Sequence, residues 1–85
     1  PPVISNVAAA RVNPRKFKIT WATDEPATSV VVFSGGLSGT YADTALVTSH
    51  SMTFEGKSGT TYVYAVQSTD AAGNTTTSDT QTYTH

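Results

Sequence analysis

Apolar and polar residues alternate along most of this chain, and the alternating runs are short. Phe17, Ile19 and Trp21 share one parity, with Lys16, Lys18 and Thr20 on the other. That is the period-two pattern of a strand buried on one face. Residues 61–69 repeat it, with Tyr62, Tyr64, Val66 and Ser68 on one side and Val63, Ala65, Gln67 and Thr69 on the other. Residues 29–33 are almost continuously apolar, so parity alone does not choose a face. We place Val31 and Phe33 inward and leave Val30 and Val32 on a partly covered outer face. Residues 49–54 form another strand with Met52 and Phe54 inward, and residues 3–12 a first one. Residues 75–84, mostly threonine, form the last, with Tyr83 its one large apolar contributor.

Turn residues punctuate these runs. Asn13-Pro14-Arg15 is a turn, and Asp24-Glu25-Pro26 is expected to end the second strand. Ser34-Gly35-Gly36 and Ser38-Gly39-Thr40 make a flexible connection, with room for a short edge strand around Tyr41. Glu55 to Gly59 is a turn, and Asp70 to Asn74 a hairpin loop in which Gly73 and Asn74 can take positive φ. No segment carries a helical period. About seven short antiparallel strands are best accommodated as two sheets face to face, an all-β sandwich. A five-stranded barrel is the competing arrangement.

Composition sharpens this picture. Only 13% of the 85 residues are charged, about half the usual share. The 16 threonines and 9 serines supply the polar surface instead, and threonine suits a strand because its branched Cβ packs on a pleated surface. So short a chain has a thin core, with little room for a buried catalytic pocket. There is no cysteine, hence no disulfide and no thiolate metal site. No apolar stretch approaches membrane-spanning length, and none reads as a signal peptide. Pro1-Pro2 reads as the end of a stiff linker. Residues 1–85 are therefore taken as a single domain drawn from a larger multidomain protein.

With the strands placed, the chain resembles the fibronectin type III domain, in the Thr-rich variety found as repeats in bacterial extracellular and surface proteins. The resemblance lies in PPVISNV (1–7), ITWATDEPATSVVVF (19–33), VTSHSMTF (47–54) and GTTYVYAVQSTDAAGN (59–74). A looser likeness is to the domain preceding the catalytic domain of purple acid phosphatases. The resemblance implies that Trp21 is the core tryptophan of the second strand. It also implies that Tyr62 is a corner residue whose hydroxyl ties back to the preceding loop. It further implies an immunoglobulin-like topology, an extracellular or cell-surface location and an accessory role beside domains such as glycoside hydrolases. The chain departs from the family in that loop, which reads Gly56-Lys57-Ser58-Gly59 where Leu and then Pro are usual and is one residue short. The Arg-Gly-Asp triplet of adhesive members is absent.

The residues that could carry chemistry do not converge. His50 reads as a polar strand-face or rim position, and His85 as part of a frayed end or a cloning remnant. Zinc needs three or four converging ligands, which two histidines and scattered carboxylates do not supply. Ser49 or Ser51, His50 and Asp43 make a triad only on paper, because neighbours on a strand point to opposite faces. Asp24 and Glu25 keep a loop solvated, and no cleft sets two carboxyls about 5–9 Å apart for acid–base work. Asp70 accepts a backbone hydrogen bond in its own turn. With Asn74, and with Asp24 as a further ligand, it is also the set a loop calcium site would use, without EF-hand spacing. Arg11, Arg15, Lys16 and Lys18 make a basic group around the Asn13-Pro14 turn, read as solvated. A slightly negative chain without stacking aromatics beside that group does not suit nucleic acid. Asn74-Thr75-Thr76 matches the N-glycosylation pattern, which matters only in a eukaryotic secreted chain.

The expected function is therefore a non-catalytic spacer or accessory module, with no cofactor or metal, no membrane insertion and a monomeric isolated form. Its partners are neighbouring domains of the same chain. The alternative is a carbohydrate- or protein-binding module. The residues singled out for such contact are Tyr41, the outward Val30 and Val32, and Asp70 and Asn74 in the hairpin loop.

Overall fold

Alternation predicts strands, and strands form. The computed structural model describes residues 2–85. Its six strands are β1 (Ile4–Asn13), β2 (Lys16–Gly35), β3 (Gly39–Glu55), β4 (Thr61–Thr69), β5 (Thr75–Thr77) and β6 (Gln81–Thr84), with no helix among the described residues. All pairings are antiparallel. The two long strands serve both layers of a sandwich-like fold. The early part of β2 lies between β1 and the late part of β3, with Ile19 opposite Ala9 and Met52. Its late part lies between the early part of β3 and β4, with Val31 opposite Tyr41 and Val66. Beyond β4, both β5 and β6 extend the second layer.

Asp24-Glu25-Pro26 does not end a strand. The backbone stays extended through it, and a register shift between Ala22 and Ala27 absorbs the bend. Proline's fixed φ suits extended backbone, and its missing N–H costs nothing where the ladder is interrupted. The separate strands anticipated around Tyr41 and over 49–54 are likewise one strand, bulged where residues 44–46 stand opposite Thr28. The last run divides in two instead. Between β5 and β6 the Ser78 hydroxyl accepts the Val66 N–H (3.0 Å), while the Ser78 N–H donates to the Val66 carbonyl (2.8 Å). A side chain thus replaces one rung of the ladder. Among the described residues no ladder joins β1 to β5 or β6, so the sheet curls but does not close into a barrel.

The inward parity is as read. Phe17, Ile19, Trp21, Val31, Phe33, Phe54, Tyr62, Tyr64 and Val66 form the core, and Met52 packs half-buried against it. Tyr62 does more than fill space: its Oη accepts the Lys57 N–H at 2.9 Å. Tyr62→Phe keeps the ring and strands that amide, and should cost about 1–2 kcal/mol. Urea unfolding measures the loss, and an unchanged midpoint would show that water replaces the hydroxyl.

The two ends of the described chain lie at opposite poles of a body 39 Å long and 20 Å across. At one pole the Val3 N–H donates to Asp24 Oδ1 (2.7 Å), and Pro2, fully buried, receives the Thr76 hydroxyl on its carbonyl. Pro1 lies outside the described residues. At the other pole the His85 N–H donates to the Thr60 carbonyl (2.9 Å). His85 is buried, not frayed. Its Nε2 bonds the Pro14 carbonyl (3.1 Å), which can only accept, so Nε2 carries a proton, and Nδ1 lies 2.8 Å from the Tyr83 hydroxyl.

Candidate functional site

The residues singled out for partner contact fall in three places. Val30 and Val32 are half-buried on the outer face, opposite Gln67 and Ala65 of β4, where Val63 extends the same apolar stripe. Tyr41 is 39% exposed, but its ring sits edge-on against Phe33 (5.7 Å) and Phe54 (5.2 Å). It shields the open side of the core with part of its ring and leaves the rest exposed. Asp70 and Asn74 lie near the pole that holds Val3, where Asp70 bridges to Ala27. The fold does not unite the three groups.

The hairpin loop is closed by Asp70. Its Oδ1 accepts the N–H groups of Ala72 (3.0 Å) and Asn74 (2.9 Å), and its Oδ2 the Asn74 side-chain amide (3.2 Å). Gly73 takes φ +90°, and Asn74 is not in that region. The Asn74 backbone amide is the main reason the Asp70 carboxyl falls to about 2, with Asn74 Nδ2, Glu25 and Ala72 adding to it. Glu25 moves the other way, chiefly through its hydrogen bond with Asp70 and then through burial. Its Oε1 is buried and meets no hydrogen-bond partner among the described residues. As pH falls, Glu25 therefore takes up a proton before Asp70 does. Of the oxygens a calcium ion would use, Asp70 Oδ1 accepts two backbone N–H groups and Asp24 Oδ1 accepts the Val3 N–H. Among the described residues no three acidic, histidine or cysteine side chains come close enough to hold a metal. Asp70→Ala should speed hydrogen exchange at the Ala72 and Asn74 amides while the Val66 amide, held by Ser78, keeps its rate. The Asp70 contribution is complete above the ordinary carboxylate range and fades as pH drops toward 2.

His50 is not at the rim, where its serine neighbours suggested it would be. It is 1% exposed. Its ring lies parallel to the Trp21 indole, centroids 5.0 Å apart and planes 2° off. Nδ1 lies 2.7 Å from Ser29 Oγ and Nε2 2.8 Å from Thr23 Oγ1. The Thr23 hydroxyl donates its one proton to the Glu25 carbonyl (2.8 Å). It can therefore only accept from the ring, which puts the proton on Nε2 and leaves Nδ1 to accept from Ser29. Burial pushes the imidazole pKa below its ordinary value, so the ring is neutral. Trp21 Nε1 donates to Ser68 Oγ at 3.0 Å, which extends the buried polar seam. A serine hydrogen-bonded to a histidine has the outline of a nucleophile and its base, but Ser29 is only 5% exposed. Ser49 and Ser51 are exposed and point away, as strand parity requires.

Parity could have placed His50: if Met52 and Phe54 face inward, so does residue 50. Its hydroxyl partners, 21 and 27 residues distant, leave no local trace. The basic group around Asn13-Pro14 divides. Arg15 and Lys16 turn toward the pole and are joined there by Lys57, which lies far from them along the chain. Lys18 stands exposed opposite Thr53. No protein-family model, curated protein or solved structure matches this chain.

Proposed function

We propose that this chain is a fibronectin type III-like module that works as a non-catalytic spacer in a secreted or cell-surface multidomain protein. The observation that carries the reading is the placement of the two ends at opposite poles of a 39 Å body. A rod whose ends are tied to its core by Val3–Asp24 and His85–Thr60 transmits position between neighbouring domains. The pairing order supports the family reading, because the halves of β2 and β3 divide between two layers as strands of that family do. So does the Tyr62 hydroxyl bound to the loop before it. Both histidines are engaged in holding the interior together, which agrees with a role that needs no chemistry.

Fluorescent donor and acceptor proteins fused to the two ends test this. The spacer gives a narrow distance distribution that does not move when polysaccharides are added. A broad distribution would overturn it.

The second reading, a carbohydrate- or protein-binding module, draws on the apolar stripe of Val30, Val32, Val63 and Ala65 on the outer face. Titration with soluble and insoluble polysaccharides separates the two. Affinity that disappears in Tyr41→Ala or Val32→Ser favours binding, and a flat titration favours the spacer.

A further inference from the structure

At the pole where β1 turns into β2, three turns enclose a recess of about 1080 Å³. That is just above the roughly 300–1,000 Å³ range of small-ligand pockets. Three of the chain's five cationic side chains line it, Arg15, Lys16 and Lys57, against the single carboxylate of Glu55. Lys16 stands across the ladder from Glu55, which offsets one charge and leaves Arg15 and Lys57 in surplus. A chain with a net charge of −1 thus concentrates positive charge in one concavity.

The recess is built by contacts within the fold. The Gly56 N–H donates to the Arg15 carbonyl (2.8 Å), and the Lys57 N–H to Tyr62 Oη (2.9 Å). The His85 ring holds the Pro14 carbonyl (3.1 Å). Gly36, at φ +79°, lies so close to Tyr62 that a Cβ there would sit 2.6 Å from the ring. Arg15 and Lys57 enter these bonds only through their backbones. Among the described residues no hydrogen bond or ion pair engages their charged heads, and the apolar Leu37 and the Tyr62 ring line the same recess.

We propose that this recess binds an organic polyanion, a compact ligand carrying at least two carboxylate, sulfate or phosphate groups. One exposed ion pair is weak and readily screened. Two cations fixed at one concavity can hold two oxyanions together, and the Arg15 fork can take one of them in a bidentate manner. The apolar lining then accepts the body that carries the charges. This inference does not depend on the spacer reading, which survives its failure.

The test is a nitrogen-edited NMR titration of the whole chain with inorganic pyrophosphate, digalacturonate and neutral cellobiose. The proposal expects the amides of Arg15, Gly36, Gly56 and Lys57 to shift with at least one of the two anions, and none of them with cellobiose. Pyrophosphate alone would point to phosphate esters, and digalacturonate to acidic polysaccharide. Arg15→Gln combined with Lys57→Gln should raise the dissociation constant about tenfold, as should moving from about 20 to about 150 mM salt. Lys18→Gln, outside the recess, should leave it unchanged. Absent shifts with both anions, shifts spread equally to Arg11 and Lys18, or affinity indifferent to the Arg15 and Lys57 changes would each overturn the proposal.

Discussion

Trp21→Ala leaves most of the chain unfolded at room temperature. Truncating a large buried aromatic costs about 3–5 kcal/mol, and Trp21 is 2% exposed at the centre of the core. Two further losses follow. Ser68, fully buried, loses the indole N–H that its Oγ accepts, and an orphaned buried polar atom costs about 1–3 kcal/mol more. His50 loses the ring it stacks on. A chain of 85 residues carries a total stability of about 4–13 kcal/mol, so the sum is comparable to the whole. Urea unfolding followed by far-ultraviolet circular dichroism measures the effect. Trp21→Phe, which keeps an aromatic ring and loses the donor, should fall between parent and alanine variant. A Trp21→Ala midpoint equal to the parent's would mean that the indole does not hold the layers together.

Acidification below about pH 6.5 should destabilise the fold well before its carboxylates titrate. His50 has an ordinary pKa of 6.5 when exposed, and burial lowers it in the folded chain. Below pH 6.5 the unfolded chain takes up a proton that the folded ring refuses. Stability is therefore complete above that pH and declines as pH falls toward the depressed folded value. The slope is at most about 1.4 kcal/mol per pH unit for one proton. Burial is the one cause of the shift, with no carboxylate opposing it. The ring faces the Thr23 and Ser29 hydroxyls, the Trp21 indole and, through Thr23, the carbonyls of Glu25 and Val47. Protonation of Nδ1 would reverse the Ser29 hydrogen bond, the hydroxyl then accepting from the ring. His50→Gln can still donate to Thr23 and accept from Ser29, and it should flatten the thermal midpoint between about pH 5 and pH 7. An equal pH dependence in parent and variant would place the responsible group elsewhere.

The core was legible because it rests on local parity. Phe17, Ile19 and Trp21 alternate with polar neighbours, Tyr62, Tyr64 and Val66 alternate with Val63, Ala65 and Gln67, and all six are buried where that alternation puts them. Val31 and Phe33 needed one further choice between faces, and both are buried as chosen. The strand ends were less legible at Asp24-Glu25-Pro26, because proline is as compatible with extended backbone as with a turn, and only the partner strand decides. At His50 residue type outweighed parity. A histidine between two serines reads as surface until three residues from elsewhere in the chain satisfy it. The turn that brings Lys57 beside Arg15 depends on a backbone bond from Gly56, which no spacing along the chain announces. Asp70 and Asn13 were legible among the polar groups, because an Asx-type turn is written within a few consecutive residues.

The division of β2 and β3 between both layers has a thermodynamic consequence. Neither layer owns a complete set of strands, so neither can melt alone without stripping the other of its central strand. The bends near Ala22–Ala27 and Asp43–Val47 are points of shared fate, not seams. Loss of the chain's ordered state should accordingly be all-or-none, with circular dichroism and tryptophan fluorescence tracing one coincident transition.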